Sequence, residues 1–105
     1  KDSPLGHPDL FEPLAGLGRC HLALNAPAQA VAALERAVAL AGSPRIAPET
    51  AADVRFLLAR ALWDAGTGHE RARELATQAH GAFLQAHKAP EASQVTAWLA
   101  SHGGR

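Results

Sequence analysis

Ser3-Pro4 followed by Pro8-Asp9 returns 40 residues later as Ser43-Pro44 followed by Pro48-Glu49. Leu17-Gly18-Arg19 returns as Leu58-Ala59-Arg60, and Asn25 as Gly66, 41 residues on. Ala30, Leu34 and Ala37 return as Ala72, Ala76 and Ala79, 42 residues on. The drift from 40 to 42 marks two small insertions between two copies of one unit. Each copy reads as a helix, a tight turn and a second helix, and a turn that short makes the two helices antiparallel neighbours.

The punctuation predicts five helices. The first spans about 8–24, with Leu10, Leu14, Leu17, His21 and Leu24 in steps of four, three, four and three along one face. Pro8 suits a first turn, whereas Pro13 bends the helix or marks a late start. Asn25 tolerates a left-handed cap, and Pro27 opens the next helix. That second helix, about 27–41, stacks Ala30, Leu34, Ala37 and Ala41 with Val31 and Val38 beside them. The third, about 48–65, sets Ala51, Val54, Leu58, Leu62 and Ala65 on one face and Phe56, Arg60 and Trp63 on another. Thr67-Gly68-His69-Glu70 reads as a capping box ahead of the fourth helix, whose apolar positions are Ala72, Leu75, Ala76, Ala79, Phe83 and Ala86. A short fifth helix, about 91–101, carries Ala92, Val95, Trp98 and Leu99. The Gly103-Gly104-Arg105 tail should fray. Alanine occurs 25 times and leucine 14, while residues that favour strands are scarce. The fold class is all-α. Alanine buries little area per residue, so its helices must approach closely to be stable.

Charge and cysteine usage narrow the function. Ten basic and ten acidic residues cancel, which removes the electrostatic footprint of a nucleic-acid binder or a basic membrane-surface protein. No apolar run reaches the roughly 20 residues of a spanning helix. Lys1-Asp2-Ser3-Pro4 has no apolar signal region, and the expectation is a soluble cytoplasmic chain. The single cysteine excludes an internal disulfide framework or a multi-cysteine metal site.

The spaced residues resemble the tetratricopeptide repeat family. The first copy supplies Leu14, Leu17, Gly18, His21, Asn25, Ala30, Leu34 and Ala37; the second supplies Leu58, Ala59, Leu62, Gly66, Ala72, Ala76 and Ala79. Small residues where the helices cross let their backbones approach. Arg55 departs from the pattern, standing where Leu14 does in the first copy, and the link from Ala41 to Ala47 lengthens the period beyond the usual 34. Long repeats opening on His7-Pro8-Asp9 resemble those of kinesin light chains. They also resemble bacterial regulatory arrays that follow serine/threonine kinase domains, and the ending Ala97-Trp98-Leu99-Ala100-Ser101-His102 is similar to the myxobacterial type. The resemblance implies an α–α superhelix and a non-catalytic protein-interaction scaffold within a larger signalling protein. Two copies are fewer than the three or so a stacked array normally needs, so the expectation is the C-terminal end of a longer array. Residues 1–6 then form a linker from a missing upstream repeat, 7–41 and 48–87 the two repeats, 42–47 their linker, 88–102 a capping helix and 103–105 a tail.

The polar residues offer no convergent chemistry. His69, His80 and His87 lie near one stripe of helix four, but a spacing of seven puts side chains roughly 10 Å apart along the axis. They read as solvated surface residues, and no metal or cofactor is expected. Cys20 and His21 point about 100° apart, so they make no nucleophile–base pair. His21 reads as packing and Cys20 as a small buried hydrophobe. Gly66-Thr67-Gly68 follows a helix, not a strand, and is a turn, not a phosphate loop. No catalytic residue is assigned. The remaining candidate is a partner-binding groove along the first helix of each copy: Glu12, Arg19, Leu22 and Ala23 on one, Asp53, Arg60, Trp63 and Asp64 on the other, with Ala15 matched by Phe56. Two arginines at one repeat position, beside Leu22, Phe56 and Trp63, suit an acidic-apolar protein or peptide. The alternative for the same residues is that Trp63 packs on the capping helix and the arginines pair with Glu12, Asp53 or Asp64. At the level of function the alternative is self-association, an open end of the array burying its leucine stripe against another copy.

Overall fold

The computed structural model describes residues 10–102, and its helices follow one another as antiparallel neighbours. They are α1 (Phe11–Ala23), α2 (Pro27–Leu40), α3 (Pro48–Asp64), α4 (His69–Gln85) and α5 (Ala89–His102). No strand occurs among the described residues. No helix among them is long and apolar enough to cross a membrane. The expectations placed on residues 1–9 and 103–105, including the His7-Pro8-Asp9 start, the linker and the fraying tail, fall outside the described residues.

Three helices end in the same way. The N–H groups of Gly66 and Thr67 turn back to the carbonyls of Trp63 and Leu62 at 3.0 and 3.1 Å. Asn25 and Ala26 do the same to Leu22 and His21, and His87 and Lys88 to Leu84 and Phe83. The first residue of each pair is left-handed, with φ of 76° at Gly66, 62° at Asn25 and 61° at His87. This double bond closes a helix and reverses the chain in few residues. Asn25 thus caps as its sequence suggests, and Gly66 is its counterpart in the second copy.

Three expectations are corrected here, and one left open is decided. The capping box does not form: the N-cap of α4 is Gly68, itself left-handed at φ 61°, with no side-chain cap bond. Thr67 is drawn instead into the ending of α3, which takes its N–H. Pro13 marks a late start, since it is the third residue of a helix beginning at Phe11, where its missing donor costs nothing. The second correction concerns the face that α1 buries. Of the expected leucine stripe only Leu14 is buried, and its buried companions are Phe11, Ala15 and Gly18. Leu10, Leu17 and Leu24 remain 40%, 50% and 74% exposed. Gly18 is the reason: a methyl group there would overlap the side chain of Leu34 on α2, which is fully buried. Helix α1 turns Gly18 and Leu14, not Leu17 and Leu24, towards α2 because the glycine permits close approach. Cys20 lies about 200° around the helix from Gly18 and is exposed, not buried as expected.

The core is two clusters. One joins Phe11, Leu14 and Ala15 of α1 to Ala37, Leu40 and Ala41 at the end of α2 and to Ala51 and Val54 of α3. Ile46, within the expected linker, packs on it. The larger cluster joins Ala30 and Leu34 to the rest of α3, to α4 and to Ala92 and Val95 of α5. Val38 packs against both. The recurring positions Ala30/Ala72, Leu34/Ala76 and Ala37/Ala79 are fully buried in both copies. Their equivalence in the sequence is therefore matched by equivalent burial.

Candidate functional site

Helices α1 and α3 touch, and an ion pair between Arg19 and Asp53 joins them on one face. A second ion pair, Arg71 to Glu35, joins α4 to α2. The hydrogen bond to the Glu35 carboxylate holds the Arg71 guanidinium above its ordinary pKa. With neighbours antiparallel, these two bridges sort the helices into an odd layer and an even layer. The odd layer carries two adjoining clefts that meet at the Arg19–Asp53 pair.

The first cleft, about 350 Å³, is lined by Arg19, Leu22, Ala23, Asp53, Leu57 and Arg60. The second, about 330 Å³, runs from Glu12 and Arg19 past Glu49, Thr50 and Asp53 to Phe83, Lys88 and Glu91. Their charge differs. Four carboxylates face two cations in the second cleft, whereas Arg19 and Arg60 face Asp53 alone in the first. The Arg60 guanidinium lies over the Phe56 ring, 5.9 Å from its centre, and that residue is exposed. Cation–π contact holds such a group in place while leaving its donors free for an anion.

The proposed groove residues fall into distinct positions. Glu12, Arg19, Leu22, Ala23, Asp53 and Arg60 line the two clefts. Arg19 is bound to Asp53, as the alternative reading had it. Ala15 is only 1% exposed and belongs to the core, so it does not line the groove opposite Phe56. It lies on the Phe11–Leu14 face that the glycine contact turned inward. Asp64 is exposed but lines neither cleft.

Trp63 sits in an aromatic cluster. His69 stacks on it at 3.9 Å, and Trp98 of α5 meets it edge-on at 5.7 Å. Trp98 also meets Phe56 edge-on at 5.8 Å and stacks with His102 at 4.8 Å. Trp63 therefore packs against the last helix, the other alternative weighed for it, and His69 is an aromatic neighbour as well as a surface residue. Among the described residues no three His, Cys, Asp or Glu side chains are grouped as a metal site would need.

The sequence reading missed the contribution of α5 and the turn before it, through Lys88 and Glu91, and that of Glu49, Thr50 and Leu57 on α3. Alternation of layers carries that signal: a fifth helix in an antiparallel series joins the first and third. No family model matches this chain, and no curated protein or solved structure matches it significantly.

Proposed function

We propose that the chain is a non-catalytic protein-interaction scaffold, a tetratricopeptide-like module that holds an extended acidic-apolar segment of a partner across its odd layer. The observation that carries this reading is the Arg60 guanidinium, held over Phe56 beside a cleft whose lining includes Leu22 and Leu57. A carboxylate from the partner would take the guanidinium fork, and apolar side chains would fill the cleft beside it. The excess of carboxylates in the second cleft favours a basic residue further along the same segment. The resemblance of the repeats to kinase-associated arrays supports a place in a larger cytoplasmic signalling protein, such as a bacterial serine/threonine kinase.

The test is selection of peptides from a random library on the immobilised chain, followed by NMR mapping of the best binder. The expected binders combine Asp or Glu with Leu or Phe, and their shifts centre on Arg19, Leu57 and Arg60. Shifts centred on α2 and α4 instead would overturn the assignment.

A further inference from the structure

The last helix reaches Arg60 through a single ring. Phe56 stands one turn before Arg60 on α3, the spacing at which helical side chains lie over one another, and the guanidinium rests on its ring. Trp98 of α5 meets the same ring edge-on, 5.8 Å between centres, and meets Trp63 edge-on as well. His102, one turn further along α5, stacks on Trp98 in turn. The contacts therefore run in series, from α5 through Phe56 to the guanidinium. Phe56, Trp63 and Trp98 are half-buried, whereas Arg60 is exposed.

A half-buried ring keeps one rotamer only while a neighbour blocks the others, and Trp98 is that neighbour for Phe56. An arginine at this repeat position without a ring beneath it takes another partner. In the first copy the equivalent of Phe56 is the buried Ala15, and Arg19 is spent on Asp53. A released Arg60 has a carboxylate at hand in Asp64, exposed and one turn further along α3. The element on which this depends is lightly held, since Ala92 and Val95 are the buried residues of α5. We propose that Trp98 is a positioning residue for Arg60, acting through Phe56, so that docking of α5 sets the affinity of the odd layer for an anionic partner. The proposal rests on the reading of Arg60 as the group that takes the partner's carboxylate. Linkage makes the effect reciprocal: a ligand held by Arg60 tightens α5 by the same factor.

NMR of the Arg60 side chain in the full chain tests the positioning without any ligand. Its δ protons, lying over Phe56, should show an upfield ring-current displacement that Phe56→Leu abolishes. Trp98→Leu, which keeps apolar bulk and removes the indole, should abolish most of that displacement, and Trp98→Phe should restore it. Val95→Ala loosens α5 without touching a ring, and well below its melt it should leave the displacement in place. The second arm is calorimetry with the peptide selected on the immobilised chain. Its affinity should fall about two- to fivefold in Trp98→Leu. Adding Phe56→Leu to Trp98→Leu should cost little more than Phe56→Leu alone, because both act along one path. An Arg60 displacement unchanged in Trp98→Leu would overturn the inference. So would an equal loss in Val95→Ala, which would make Trp98 a support of α5 and nothing more. Equal peptide affinity in Trp98→Leu and the original chain would overturn the link to binding while the peptide reading stood. Failure of every acidic-apolar peptide to bind, with the displacement lost in Trp98→Leu and restored in Trp98→Phe, would refute the peptide reading and uphold the positioning of Arg60 by Trp98.

Discussion

At the crossing of α1 and α2, Gly18 and Leu34 share a space that in the second copy belongs to Ala59 and Ala76. All four are buried, and both pairs sit at the same repeat positions. One copy combines the smallest side chain with a large one, and the other uses two small ones. Gly18→Ala would gain about 1 kcal/mol of helix propensity but would force its methyl into Leu34, which costs about 1–3 kcal/mol. Leu34→Ala alone should cost about 2–5 kcal/mol by leaving a cavity. Together they rebuild the Ala–Ala crossing of the second copy. Urea denaturation should therefore find the double variant less destabilised than the sum of the singles, by about 1 kcal/mol or more. Strict additivity would mean that the two side chains do not share that space.

Among the elements, α3 is the most buried, with eight buried residues from Ala51 to Leu62, because it packs against α1, α2 and α4. The last helix depends on fewer contacts. Ala92 and Val95 are its buried residues, Leu99 packs on the same cluster, and Trp98 meets the rings of Phe56 and Trp63 on α3. Trp98→Ala should cost about 2–4 kcal/mol, and the exciton coupling between the tryptophans should vanish from the circular dichroism spectrum. A melt unchanged by this variant would remove the tryptophan contact from the forces that hold α5. How much of this was legible in the sequence differs by helix. The stripes of α2 and α4 were legible because alanines at Ala30, Ala37, Ala72 and Ala79 have one apolar face available. The stripe of α1 was not, because Leu10–Leu17–Leu24 and Phe11–Leu14–Gly18 both satisfy helical spacing. Periodicity counts apolar residues; it does not register that a glycine lets a neighbouring leucine enter. The Thr67 box misled for a similar reason, since its threonine was already committed to the end of α3.

On the scale of the whole molecule, the repeat has one consequence above the others: equivalent helices fall in the same layer. The odd layer holds Arg19 and Arg60 at one repeat position, and the even layer holds Glu35 and Arg71 on the opposite side. The recurrence of the arginines was legible, but their different fates were not. Arg19 reaches Asp53, while Arg60 rests on Phe56, because the position equivalent to Phe56 in the first copy is the buried Ala15. The central claim is that the odd layer binds a partner and the even layer does not. Arg36 of α2 is exposed, as is Arg60 of α3, so the same charge reversal can be made on each layer at little cost to folding. The measurement is the affinity of the selected acidic-apolar peptide for Arg60→Glu and for Arg36→Glu, by titration calorimetry, with each variant's melt as control. The account predicts at least about a tenfold loss for Arg60→Glu, none for Arg36→Glu and melts close to that of the original chain. Equal affinity in Arg60→Glu and the original chain, or an equal loss in both variants, would contradict it.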